Sequence, residues 1–242
     1  MKHVTTSFYV PKGDIQNGIA HFSRGESNHL SRVLRARADD LVRVVDGEGG
    51  AFWAKVTRSD PEYSRAEIIE ETEPAPEPSI TFELAPGIIH PNRLESAWDS
   101  AIQLGARRLQ PLRTKYSEER LKPGGKYMKR LRTVSVRGMK QSGRAVLPVV
   151  EEPMELNEYL QHTGDVLLYG NPEGLPSPPK ERPRLGEKVS LLVGPEGGFS
   201  SEEIRLIDSA GGVPISMGPR RLRAETALVT LTVIALRWTG DI

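Results

Sequence analysis

Cysteine is missing from this chain, and aromatic residues make up only 6% of its 242 positions. Without a thiol there is no disulfide, no thiolate zinc site and no cysteine nucleophile, and the composition fits a reducing compartment. The five histidines (3, 21, 29, 90 and 162) lack metal-ligand spacing, so no metal is expected. Long apolar runs are missing too. The longest, Ala227 to Trp238, is broken by Thr230, Thr232 and Arg237 and falls short of the ~20 residues that span a bilayer. The opening residues Met1 to Thr6 hold no apolar core of a signal peptide. The expectation is a cytoplasmic protein with no membrane partner.

Net charge is also nearly absent, at +1. Its distribution is uneven. From Arg107 to Arg144 there are thirteen Lys or Arg against only Glu118 and Glu119, a local charge of +11, while acid collects between Asp60 and Glu77. Polyanion binding depends on local potential and not on net charge, so the span reads as a nucleic-acid face, with a solvated helix surface as the alternative.

Short strands with turns fill residues 1–73. Leu41–Val45 runs into the turn Asp46-Gly47-Glu48-Gly49-Gly50, then Ala51–Val56, and Ala66–Glu70 is a further strand. Together with a helix over Ser27–Leu34 this predicts a small β-barrel. Glu73-Pro74-Ala75-Pro76-Glu77-Pro78 reads as a stiff linker over 74–78. Residues 79–242 then alternate strand and helix, which predicts an α/β layer with a mostly parallel sheet. Strands are expected at Ile80–Leu84, Val166–Tyr169 and Val189–Val193. A capping box at Asn92/Glu95 opens a helix that Gly105 closes. A basic helix covers Lys126–Ser142 and ends at Gly143. Ser200 with Glu203 caps another, and Ala224–Trp238 is the last. Pro172–Pro183 is a loop, ordered or mobile.

Two segments concentrate the chemistry. Leu191-Leu192-Val193-Gly194-Pro195-Glu196-Gly197-Gly198-Phe199-Ser200 is an apolar strand that ends in glycines and a carboxylate before a capped helix. Glycine lets backbone approach a ligand closely, although a plain strand–turn–helix connection would also use it. No Gly-Lys-Ser/Thr follows, and the pattern is not G-x-G-x-x-G, so neither a phosphate loop nor a dinucleotide fingerprint is present. The second segment, Met217-Gly218-Pro219-Arg220-Arg221-Leu222-Arg223-Ala224-Glu225-Thr226-Ala227, sets three arginines before a helix. Glu225 suits the positive end of a helix dipole, but the arginines oppose it and call for a bound anion or RNA phosphate.

The pairing of Gly194-Pro195-Glu196-Gly197-Gly198-Phe199 with Met217-Gly218 and Arg220, Leu222, Arg223, Glu225, Thr226 and Ala227 resembles the ribosomal small subunit methyltransferase E family, of the SPOUT class. Weaker matches are His29-Leu30, Val33-Leu34-Arg35, Asp46-Gly47, Leu104-Gly105, Pro111, Gln141-Ser142-Gly143-Arg144 and Pro148. The resemblance implies a PUA-like RNA-binding barrel over 1–73. It implies a SPOUT domain with a deep trefoil knot over 79–242, and a homodimer. It implies S-adenosyl-L-methionine held by Leu168, Tyr169 and Gly170, by Val193, Gly194, Pro195, Glu196, Gly197 and Gly198, and by Ser216, Met217, Gly218, Arg220 and Leu222. The activity implied is methylation of N3 of a uridine in small-subunit (16S) ribosomal RNA, free or in the subunit. RNA contacts fall on His29, Arg35, Lys129, Arg132, Lys140 and Arg144. Arg223 is the candidate to stabilise charge on the base, and Glu225 the candidate proton acceptor.

The chain departs from the family at Ser100 and Gln103, where lysine and glutamate are common. It departs again at Lys115-Tyr116, within a T-E-R-S pattern, and at Arg221. The alternatives are a SPOUT enzyme for another base or a ribose 2'-hydroxyl, or a non-catalytic RNA-binding protein.

Overall fold

The computed structural model describes residues 3–117, 121–163 and 166–242. Met1 and Lys2, and Glu118, Glu119 and Arg120 of the charge count, lie outside the described residues. The chain divides into two compact units, Met1–Glu77 with Val136–Leu147, and Pro78–Ser135 with Pro148–Ile242.

The first unit contains β1 (His3–Tyr9), β2 (Ile15–Gln16), β3 (Ile19–His21), α1 (Arg24–Asn28), β4 (Leu41–Val45), β5 (Ala51–Arg58) and β6 (Arg65–Glu71). They form one mixed sheet in the order β1-β4-β5-β6-β3-β2, with β1 and β4 parallel and the other pairs antiparallel. No β1–β2 pairing closes it among the described residues, so hydrogen bonding leaves an open sheet where sequence predicted a barrel. Phe8, Phe22, Leu30, Val42, Val44, Ala54 and Val56 make its core. The expected β4–β5 turn is built by Asp46, whose Oδ1 accepts the N–H groups of Glu48 and Gly50, both at 2.8 Å. The helix expected over Ser27–Leu34 starts earlier, where Ser23 Oγ accepts the Glu26 N–H at 3.3 Å. It continues through a π-helical turn, His29–Val33.

The second unit begins with β7 (Thr81–Pro86), α2 (Pro91–Gln103), β8 (Arg108–Leu109), β9 (Leu112–Arg113) and the first ten residues of α3 (Lys126–Ser142). It resumes with β10 (Val149–Val150), β11 (Met154–Glu155), α4 (Leu156–His162), β12 (Val166–Leu175), β13 (Lys188–Val193), α5 (Ser201–Ser209), β14 (Val213–Ile215) and α6 (Ala224–Thr239). The main sheet runs β10-β8-β7-β13-β12-β14 and every pair in it is parallel. Both faces are covered, as a parallel sheet requires. Phe82, Leu84, Leu168, Val189, Leu191 and Val193 face a core shared with α2, α3 and α6, while Ala85, Leu167, Tyr169 and Leu192 face α4 and α5. Trp98 of α2 is fully buried and donates its indole N–H to Ser135 Oγ at 3.1 Å.

Several expectations shift in detail. The capping box of Ser200 and Glu203 forms with both of its bonds. The one expected at Asn92 and Glu95 does not. His90 occupies the cap position without a side-chain bond, and Pro91 takes the first helical position, where its fixed φ suits the helix and its missing N–H costs nothing. Gly105 and Gly143 close α2 and α3 at φ of +99° and +76°. The segment read as a linker is tied down within the first unit. Ala75 N–H donates to the Gly143 carbonyl at 2.9 Å, and Glu77 pairs with Arg144. The Pro172–Pro183 stretch begins as the end of β12, where Pro172 accepts from Ser216 Oγ at 3.3 Å and Leu175 is in register with Ile215, and Pro179 accepts the Trp238 indole N–H at 2.7 Å.

Candidate cofactor site and RNA-facing residues

Tyr169 lies opposite Leu192, and Gly170 opposite Ile215, so Gly170, Gly194 and Ser216 stand at the same carboxyl edge of the parallel sheet, where β12 shifts register between Gly170 and Leu175. That edge is where α/β folds hold their ligands. The side chains just inside it are committed elsewhere. Leu168 and Tyr169 are buried in opposite cores, and Val193 is 6% exposed. Tyr169 donates its hydroxyl to Asp208 Oδ1 at 2.8 Å, and burial, then that hydrogen bond, hold the phenol above its ordinary pKa. These three residues offer a ligand main-chain groups only. Met217 and Leu222 pack partly buried against the adjoining core as apolar walls.

The glycines of the first loop are explained inside the protein. A Cβ on Gly194 would sit 2.7 Å from the Gly198 carbonyl carbon and 2.8 Å from the Phe199 nitrogen, so the loop folds back on its own backbone there. A Cβ on Gly197 would sit 2.8 Å from Tyr116 Cβ. Tyr116 therefore accounts for the lack of a side chain at Gly197, whose main-chain groups stay in the loop. Gly198 and Gly218 have φ of +74° and +99°, which favour glycine. Three of the five residues that depart from the family pattern converge on this loop or the helix after it. Tyr116 covers Gly197, Lys115 N–H donates to Glu203 Oε1 at 2.7 Å, and Arg221 donates to the Glu196 carbonyl at 3.3 Å. Ser100 and Gln103 bond back to their own helix at Ser96 and Asp99.

Charge at the site is organised by Arg93, a residue the sequence did not single out. From the first turn of α2 it donates to Glu196 Oε1 at 3.0 Å, and its Nε stands 3.9 Å from Glu225 Oε1. The second oxygens, Glu196 Oε2 and Glu225 Oε2, are buried and have no hydrogen-bond partner. One guanidinium thus serves two carboxylates from different segments, and two acceptor atoms stay unsatisfied. A buried acceptor without a partner costs roughly 1–3 kcal/mol, so the pair is suited to a ligand that brings donors or positive charge. Arg223 is the N-cap of α6 and uses no side-chain cap bond. Arg220, Arg221 and Arg223 are all exposed beside the helix start.

The residues assigned to RNA separate into two groups. Lys129 is exposed, and Arg132 is half exposed while pairing with Glu152 at 2.6 Å. Arg35 is exposed, and His29 packs its ring 5.6 Å from that of Phe8. Lys140 and Arg144 do not belong on an RNA face. Lys140 is 15% exposed and paired with Glu26 at 2.6 Å, and Arg144 is 3% exposed and doubly bonded to Glu77. Charge counted along a sequence cannot distinguish these internally neutralised cations from free ones. Among the described residues no helix is long and apolar enough to cross a membrane, and no group of His, Asp and Glu could hold a metal ion.

Comparison with known proteins places this geometry. An RNA methyltransferase domain model matches residues 76–236, and an RNA methyltransferase PUA domain model matches residues 22–69. The chain is 28% identical to a ribosomal RNA small subunit methyltransferase E of Rickettsia conorii, over 84% of this chain and 83% of that protein. It is 30% identical to the Synechocystis protein of the same name, over 83% of this chain and 67% of that one. Among solved structures, a putative methyltransferase of Legionella pneumophila with bound cofactor SAM superposes with a TM-score of 0.87, at 27% identity, covering 97% of this chain and 98% of that one. The fold is also that of a small subunit methyltransferase E of Neisseria gonorrhoeae (TM-score 0.86, 23% identity, covering 96% of this chain and 97% of that one).

Proposed function

This chain belongs to the ribosomal RNA small subunit methyltransferase E family, and from that membership we propose that it methylates N3 of a uridine in small-subunit ribosomal RNA, using S-adenosylmethionine. The observation that carries the reading is the shared carboxyl edge of β12, β13 and β14, which brings the Gly194–Gly198 loop and the Ser216–Leu222 turn together beside Glu196, Glu225 and Arg93. The residues present suit the cofactor. Main-chain groups at the strand ends can read an adenine edge, and the unpartnered Glu196 oxygen suits a cationic ligand. We assign Leu168, Tyr169 and Gly170, Val193 to Gly198, and Ser216, Met217, Gly218, Arg220 and Leu222 to that site. We extend the same reading to a trefoil-knotted SPOUT fold, a homodimer and a cytoplasmic location. An all-parallel sheet in the order β7-β13-β12-β14 supports the fold.

When bound, S-adenosylmethionine supplies an electrophilic methyl group on sulfonium. The protein's share is positioning and charge. The N3 proton of uridine must leave as the new N–CH3 bond forms, and Glu225 Oε2, buried and without a partner, is the acceptor we assign. Negative charge then spreads toward the base oxygens, where Arg223 and the positive end of α6 stabilise it.

Single-turnover methylation at saturating RNA and cofactor tests these roles. Arg223→Ala should lower the rate by on the order of 100- to 1000-fold with little change in either affinity. Glu225→Gln should lower it and remove part of its pH dependence. A near-wild-type rate for Arg223→Ala would show that this arginine only anchors RNA.

A further inference from the structure

The turn Thr114–Ser117 seats an exposed aromatic ring on the Gly194–Gly198 loop. Its own bonds close it, with the Ser117 N–H on the Thr114 carbonyl at 3.1 Å and the Thr114 N–H on Ser117 Oγ at 3.2 Å. Two further points fix it in the second unit. Lys115 N–H donates to Glu203 Oε1 at 2.7 Å, and Thr114 stands with Pro195 against Gly87, where a Cβ would meet Pro195 Cδ at 2.5 Å and Thr114 Oγ1 at 3.1 Å. Tyr116 leans its Cβ, Cγ and Cδ2 on Gly197, yet the residue is 44% exposed. Leucine would supply the same three atoms. Packing therefore gives no reason for the outer ring, and the family pattern T-E-R-S has arginine at this position, not an aromatic residue.

Cations stand beside the ring. The Lys115 ammonium lies 5.7 Å from its centroid, and the exposed Arg221 donates to the carbonyl of Glu196, the residue before Gly197, at 3.3 Å. An exposed aromatic face with positive charge next to it is how proteins hold unpaired nucleotides, the base on the ring and the phosphates on the charges. A base that is methylated at N3, on its pairing edge, must first leave its helix, and it loses its stacking neighbours in doing so.

We propose that Tyr116 replaces those neighbours: its ring stacks on an unpaired base at the methylation site, and Lys115 and Arg221 take phosphates beside it. The proposal rests on the reading of the chain as an RNA methyltransferase and adds to it the residue that holds the displaced base.

The full chain and its Tyr116→Phe and Tyr116→Leu variants are titrated with a fluorescently labelled fragment of small-subunit ribosomal RNA across a salt series. Thermal unfolding and calorimetry with S-adenosylmethionine accompany the titration. Tyr116→Leu should weaken RNA binding about five- to 150-fold, the worth of one base on an aromatic ring, while Tyr116→Phe stays close to wild type. The log–log salt slope should be the same in all three proteins, because stacking releases no counterions. Cofactor affinity and the unfolding midpoint should hold as well, since leucine keeps the contacts on Gly197. Unchanged RNA affinity in Tyr116→Leu, or an equal loss in Tyr116→Phe, would overturn the proposal. A fall in cofactor affinity that matches the fall for RNA would also overturn it, by making Tyr116 a support of the loop alone. An unsubstituted protein that binds neither S-adenosylmethionine nor RNA would overturn the methyltransferase reading itself, whereas one that binds both while Tyr116→Leu changes nothing would remove only the stacking.

Discussion

Arg93 meets Glu196 across 103 positions of sequence and reaches toward Glu225 further on. Nothing in the local pattern Asn92-Arg93-Leu94-Glu95 distinguishes it from a solvated residue of a first helical turn, which is why only the folded chain reveals it. The glycines were legible as a set, but their reasons were not. Gly194 is required by its own loop and Gly197 by Tyr116. If Arg93 sets the two carboxylates, its removal leaves them facing one another without a cation. Arg93→Ala should then weaken S-adenosylmethionine binding by about ten- to a hundredfold, since one charge-assisted hydrogen bond is worth roughly 1.5–3 kcal/mol. Arg93→Lys should recover part of the loss. The arginine side chain is 40% exposed, so the unfolding midpoint should hardly move. Calorimetry that finds wild-type affinity in Arg93→Ala would remove the bridge from the account.

Among the elements, α3 shows how far a charge pattern can be read. Its extent, Lys126–Ser142, and its glycine stop agree with the sequence, because apolar spacing and a positive-φ glycine are local signals. Its division between the two units, and the pairing of Lys140 and Arg144 with Glu26 and Glu77, depend on tertiary contacts that no spacing encodes. The consequence is a contrast between two cations near each other in sequence. Arg144→Ala leaves Glu77 without its partner in a partly buried setting, and breaking such a pair costs up to about 3–5 kcal/mol when fully buried, less here because Glu77 is 23% exposed. Its unfolding midpoint should drop by several degrees while RNA affinity holds in the folded fraction. Lys129→Ala should do the reverse, keeping the midpoint and weakening RNA binding in a salt-dependent way. Equal loss of RNA affinity in both variants would contradict the separation of structural from RNA-facing cations.

At the scale of the molecule, the sequence yielded a parallel α/β part, a strand-rich part before it and a proline-rich boundary between them. Alternating strand and helix patterns, together with Pro74, Pro76 and Pro78, carry that information directly. The return of residues 136–147 to the first unit, and the open sheet in place of a predicted barrel, were not legible, because pairing partners lie far apart along the chain. The chemistry followed from two loops whose strands, β13 and β14, come to flank β12 only in the folded sheet. The central claim is that this site moves a methyl group from S-adenosylmethionine to one uridine nitrogen. Purified protein incubated with small-subunit ribosomal RNA and methyl-labelled S-adenosylmethionine, followed by digestion of the RNA to nucleosides, tests it most directly. The account predicts that the label elutes as N3-methyluridine, and label on another nucleoside or on a ribose, or none at all, would contradict it.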